Sequence, residues 1–196
     1  MIREQHPTED KKEIGTMSFL RVRLQFTAFV VLLFLIACAS TKFTIMWKDE
    51  TYHGHPGKIL VINTFPNPEN RKLFEDELVQ ALKDHGVNAV ASYALMPKPV
   101  ISDMSTIAAK AKEVGADTVL INRAVGSSSN VAGGPGGVYY VDLFIKTQTD
   151  IYDMKSDSPI FSASAETWIR QGQPYSSRIH SYVTDLVNKL SQQGVF

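Results

Sequence analysis

The sequence predicts a mixed α/β domain: a sheet of about five strands, with helices packed against it. Three observations predict it. The β-branched run Lys58-Ile59-Leu60-Val61-Ile62-Asn63 has the composition of a strand covered on both faces. Two stretches with apolar residues at helical spacing follow, each leading into another short β-rich run. Beyond Tyr139 the pattern changes to strict alternation, which marks a long strand with one wet face.

In chain order, residues 43–47 form an apolar patch of strand-like composition, and residues 58–63 are the central strand. Asn67-Pro68-Glu69 then combines an N-cap side chain, a proline suited to the first helical position and a first-turn acid. Phe74, Leu78, Ala81 and Leu82 follow at helical spacing, and Gly86 closes the helix. Residues 87–92 read as a second strand. Met104, Ile107, Ala108, Ala111 and Val114 define a second helix ending at Gly115, and residues 118–122 another strand. This β-α-β-α-β succession implies parallel pairing through right-handed crossovers. In the second half, Val141, Leu143, Ile145 and Ile151 alternate with Asp142, Lys146, Gln148 and Asp150. A turn at residues 155–159 sends residues 160–169 back as an antiparallel partner. A last helix carries Ile179, Val183, Leu186, Val187 and Leu190 on one face. No internal repeat is visible.

The 196 residues carry 20 Lys and Arg against 20 Asp and Glu, with no basic block. That balance lacks the electrostatic footprint of nucleic-acid binding and of polybasic attachment to membranes. Attachment has a different signature. Arg21 and Arg23 precede an apolar run over residues 26–37, which is followed by small residues around Cys38, the single cysteine. Positive residues, a short apolar core and a small-residue cut site are the pattern of a secretory signal. The run is shorter than the roughly 20 apolar residues of a spanning helix, which is the other reading of this stretch.

Leu35, Ala37 and Cys38 resemble the lipobox of bacterial lipoproteins. The resemblance implies a signal peptide over residues 17–37, cleavage between Ala37 and Cys38, and a diacylglycerol and an N-acyl chain on Cys38. A tether over residues 38–42 and a single periplasmic domain over residues 43–196 follow from it. Ala39, where an acidic residue would favour inner-membrane retention, implies the inner leaflet of the outer membrane in a Gram-negative host. Residues 1–16 hold Glu4, Glu9, Asp10 and Glu13, acids foreign to a signal n-region. They read either as an extension ahead of a true start at Met17 or as a disordered prefix. With Cys38 acylated, no thiol remains for a disulfide.

Further motifs carry a second resemblance. Trp47-Lys48-Asp49, Tyr52-x-Gly54, Arg71-x-x-x-Glu75-Asp76, Gly86-Val87-x-Ala89-x-x-Ser92-Tyr93 and Gly115-Ala116-Asp117 stand in that order. Together they resemble a family of uncharacterised bacterial envelope lipoproteins with a domain of unknown function, over residues 43–194. In layout that family is similar to the amino-terminal domain of TolB and to lipoproteins that activate cell-wall synthases. The resemblance implies an anchored accessory protein and supplies no reaction.

Candidate chemistry is sparse. His53 and His55, with Asp49 and Glu50 nearby, have a spacing that suits one metal ion, yet two imidazoles do not specify a site, and a polar loop leading into the first core strand is the favoured reading. Gly133, Gly134, Pro135, Gly136 and Gly137 are followed by a strand rather than a helix start, which rules against a phosphate cradle. Residues 126–137 read instead as a mobile hairpin-type loop, of a length that suits contact with a partner. Glu75, Asp76 and Glu77 read as a solvated helix face, and His180 as a solvated or half-buried helix position. The chain lacks a Gly-x-Ser-x-Gly elbow, and no set of residues names a reaction. Tyr140, Phe144 and Trp168 are either exposed anchors of an interface or core beneath a helix, because parity does not reveal which face is covered.

The expectation is therefore a non-enzymatic, cofactor-free binding or scaffold module that engages an envelope protein from a lipid anchor. The second reading is a small-ligand or metal-binding protein using the strand ends near Thr64, Asn122 and the loop of His53 and His55.

Overall fold

The computed structural model describes residues 41–98, 103–133, 135–137, 139–170, 172 and 174–196. The chain divides into two units, Met1–Cys38 and Ala39–Phe196, and the described residues all belong to the second. Its sheet contains β1 (Thr41–Lys48), β2 (Lys58–Asn63), β3 (Asn88–Ala91), β4 (Thr118–Gly133), β5 (Tyr139–Asp153) and β6 (Ser158–Arg170). Three helices accompany it: α1 (Pro68–Asp84), α2 (Met104–Glu113) and α3 (Tyr175–Gln192).

The spatial order is β1-β6-β5-β4-β2-β3. β2 pairs in parallel with β3 and β4, as the β-α-β-α-β pattern requires, and the remaining neighbours are antiparallel. The sheet has six strands rather than about five. The additional strand is β1, an edge strand that adds to β6 and begins at Thr41, inside the expected tether.

Local signals place the helix ends. The Asn67 side chain accepts from the Asn70 amide at 2.9 Å, and Pro68 opens α1. Gly86 stops it with a φ of 79°, which lets the Gly86 and Val87 amides reach back to Lys83 and Leu82. Asp103 caps α2 by accepting from the Ser105 amide and from the hydroxyls of Ser105 and Thr106. Gly57 approaches Asp117 so closely that an added Cβ would meet a carboxylate oxygen at 2.7 Å. That closeness lets Asp117 accept from the Gly57 and Lys58 amides and join the start of β2 to the start of β4.

Strand alternation produces two cores. On one face, Ile59, Val61, Leu120, Ile151, Phe161, Ala163 and Ala165 meet α1 and α3 through Phe74, Leu78, Ile179, Val183 and Leu186. On the other, Leu60, Ile62, Val119 and Ile121 meet α2 through Ile107 and Ala111. Lys48 closes the edge by donating to the carbonyls of Gln193 at 2.9 Å and Gly194 at 2.8 Å, just past the end of α3.

Candidate functional site: an uncovered sheet face and a projecting arm

Two regions of the second half depart from an evenly covered sheet. α1 and α3 cover one face along β2, β4, β5 and β6, whereas on the opposite face the cluster beneath α2 centres on β2 and β4 and reaches β5 at its far end, through Tyr152. Over the rest of β5 and over β6 and β1 that opposite face carries no helix among the described residues. Its centre is a hydrogen-bonded polar ladder. Gln148 donates to Asp150 and Ser162, Ser162 donates to Asp150, and Arg123 from β4 forms an ion pair with Asp150. Lys146 and Glu166 stand opposite each other one step further along.

Apolar side chains flank the ladder. Phe144 and Trp168 are direct cross-strand partners, so both lie on the uncovered face, half-buried. Ile45 pairs with Ser164 and Trp47 with Ser162, which puts these two exposed residues of β1 on the same face. Phe144 and Trp168 thus lie on the face that carries no helix among the described residues.

The second region is a projection. β4 and β5 stay in register as far as the pair Gly133 and Tyr139, well past the residues that β1 and the helices reach. Residues 126–137 do lie in a hairpin, but most of the stretch that the glycines and serines predict as loop is strand. Gly126 to Gly133 form strand, a β-bulge lies between Ala124 and Gly126, and only the single turn Pro135–Gly137 closes the hairpin. Pairing with β5 satisfies the backbone groups of a segment whose own strand propensity is poor. Gly136 and Gly137 supply the positive φ values of 79° and 78° that the turn demands. Gly134 lies outside the described residues. Towards the tip, Val131, Tyr139, Tyr140 and Val141 are 66%, 71%, 50% and 43% exposed.

At the strand ends near Thr64 and Asn122, the alternative location, buried side chains bond to one another, and beyond them Phe65, Asn67, Asn70, Ala124, Ser127 and Tyr175 line an open groove of about 380 Å³. Asn63 donates to Asn122, which donates to Thr149 at 2.8 Å and to the Tyr182 hydroxyl at 2.9 Å, all of them buried. Burial raises the Tyr182 phenol above its ordinary pKa, opposed by its hydrogen bonds to Thr147, Thr149 and Asn122. The adjoining cavity, lined by Phe65, Phe74, Ile145, Tyr175 and Ile179, holds only about 30 Å³ and is largely apolar. That volume accommodates little more than a water molecule.

His53 and His55 are exposed on the segment between β1 and β2, and among the described residues no group of three or more His, Cys, Asp or Glu is gathered for a metal. His180 is exposed and bonds to Glu77 at 3.0 Å. Glu75 corrects the expectation of a solvated acidic face, because it is fully buried. It accepts from the Asn63 amide, Arg71, the Ser92 hydroxyl and the Tyr93 amide. The Arg71-x-x-x-Glu75 spacing places both groups on one helix face, which was a readable signal. The burial depended on β3 lying beside α1. Ala37 and Cys38 lie outside the described residues, and no helix among the described residues is long and apolar enough to cross a membrane.

Neither a protein-family model nor a curated protein sequence matches the chain. Solved structures do resemble it. PelC from Paraburkholderia phytofirmans, solved as a dodecamer, superposes with a TM-score of 0.51 at 13% identity, covering 76% of this chain and 96% of that one. Lipoprotein GNA1162 from Neisseria meningitidis gives a TM-score of 0.47 at 14% identity, covering 70% and 99%. A minor lipoprotein from Acinetobacter baumannii gives 0.32 at 14% identity, covering 71% and 92%. At such identities the likeness to PelC concerns the fold alone. The expected kinship in layout with the TolB amino-terminal domain is not shown by these likenesses.

Proposed function

We propose that this chain is a lipid-anchored lipoprotein of the cell envelope that holds an envelope protein against the uncovered face of its sheet. The single observation that carries the reading is the pairing of Phe144 with Trp168 on a face that no described helix covers. Ile45 and Trp47 extend this apolar surface, and the ladder of Gln148, Asp150 and Ser162 gives it directional polar groups. Aromatic anchors beside satisfied polar groups are the usual composition of a binding patch. The anchor is Cys38 with its diacylglycerol and N-acyl chain, and the location is the periplasmic side of the outer membrane. The reading includes no catalysis and no cofactor.

The test is in-cell photocrosslinking from position 144, with Cys38→Ala as the unanchored control and Trp168→Ala as the surface variant. One stoichiometric envelope partner, lost in both variants, is the expected result. A set of captured proteins unchanged by Trp168→Ala and by deletion of residues 126–137 would overturn the proposal.

A further inference from the structure

We infer that the β4–β5 arm is a second, non-covalent membrane contact, seated in the interfacial layer of the bilayer that holds the Cys38 lipid. The inference rests on the anchor proposed above and on where that anchor meets the sheet. Cys38 precedes Thr41 by three residues, so by covalent reach alone its Cα lies within about 11 Å of the start of β1. Thr41 pairs with Thr167, Thr167 with Ile145, and Ile145 with Ser127, which sets one level across four strands. From that level β5 runs six residues further, to Tyr139, and β4 six further, to Gly133. At strand rise this projection is about 20 Å long. The arm therefore leaves the sheet at the anchored end and is longer than the tether.

Its chemistry suits that place. Between Arg123 and Asp142 the sequence holds no charged residue over residues 124–141. The tip displays Val131, Tyr139, Tyr140 and Val141. Aliphatic residues with tyrosines at their border are what a headgroup boundary accepts, where the ring is apolar and the hydroxyl stays wet. The depth is limited. Among the described residues the pairing of β5 with β6 ends at Asp142 and Arg170, and a projection of about 20 Å falls short of the roughly 30 Å hydrocarbon core. The arm consequently lies within the interface and does not cross the hydrocarbon. With no cationic side chain in it, its attraction is to the apolar boundary of any lipid and is not a matter of headgroup charge.

The experiment uses the full chain, processed in cells, purified and placed in phosphatidylethanolamine–phosphatidylglycerol vesicles. Cys38 is the single cysteine, so an acylated wild type takes no thiol-reactive dye. Tyr140→Cys and Lys155→Cys each then offer one labelling site, at the tip and at the turn between β5 and β6 on the opposite end of the sheet. An environment-sensitive dye at position 140 is expected to brighten several-fold and to be quenched by brominated acyl chains. At position 155 neither effect is expected, and varying the phosphatidylglycerol content should leave the signal at 140 unchanged. A dye at 140 that bromolipids fail to quench overturns the membrane contact. A dye at 140 that instead self-quenches as protein per vesicle rises assigns the tip to a second copy and also overturns it. A wild-type chain whose Cys38 takes the dye and lacks the lipid mass overturns the anchor, and the membrane contact with it. The labelling and mass of the wild type thus separate failure of the anchor from failure of the arm.

Discussion

Thr41 and Thr167 meet with their hydroxyls 3.2 Å apart, both side chains buried where the first residue of β1 joins β6. This contact fixes the entry point of the chain into the sheet beside the base of the β4–β5 arm. It also gives the edge strand a buried polar tie, which suits a strand to which a membrane anchor would transmit force.

Lys48 forms the tie at the other end of β1. Replacing it with Met frees the carbonyls of Gln193 and Gly194 to solvent. Because the site is partly exposed, the expected loss is small, about 1 kcal/mol of unfolding free energy. Amide exchange should accelerate in β1 and the last turn of α3 while β2 remains protected. Uniform acceleration throughout the sheet would refute this local role.

Glu75 and Arg71 form a buried ion pair at 2.9 Å with every nearby donor satisfied. Glu75→Gln leaves the Arg71 guanidinium without its counter-charge and should cost about 3–5 kcal/mol in urea unfolding. The double replacement Arg71→Met with Glu75→Met should cost markedly less than the sum of the two single changes. Additive losses would mean that the pair is not energetically coupled.

Tyr182 should show its burial through pH. Its phenol is held above the ordinary value by desolvation, so the native state ionises later than the unfolded chain. Its contribution is complete below the unfolded phenol pKa of about 10 and is lost as pH rises from there through the native value. An alkaline difference-absorbance titration should find one tyrosine that ionises only on unfolding, and Tyr182→Phe should abolish that step. The same variant leaves the Asn122, Thr147 and Thr149 side chains short of a partner, for a loss of about 1–3 kcal/mol.

Asp103 behaves oppositely. Hydrogen bonds from Ser105 and Thr106 bring its carboxyl down to about 2 from 3.8. A depressed native pKa means that the capped state is favoured above the unfolded value and released as pH falls through about 2. NMR should find this midpoint at Asp103, with the Ser105 amide losing its exchange protection over the same range. A midpoint at the ordinary carboxyl value would show that the cap is not populated in solution.

The sequence alone determined most of the elements of the domain, because each signal acts within a few residues. Asn67 and Pro68 start α1, Gly86 stops it, and the unbroken apolar run of β2 announces a strand buried on both faces. The apolar run and small residues before Cys38 carried the envelope reading in the same local way.

Only the tertiary structure decided what each face meets. Alternation assigns Phe144 and Lys146 to one side of β5 but is symmetric about which side a helix covers. That depended on α2 returning over β2 and β4, with no helix over β6 and β1 among the described residues. Residues 126–133, rich in glycine and serine, have loop composition; a partner strand of matching length made them strand. Glu75 is acidic and lies in an acidic cluster, yet it is buried because Arg71, Ser92 and the Asn63 and Tyr93 amides converge on it from three segments of the chain. The level shared by Thr41 and the base of the arm is likewise invisible in one dimension, since the paired residues Thr41 and Thr167 are 126 positions apart. Local signals specify elements; pairing over such separations specifies surfaces, and the proposed function resides in the surfaces.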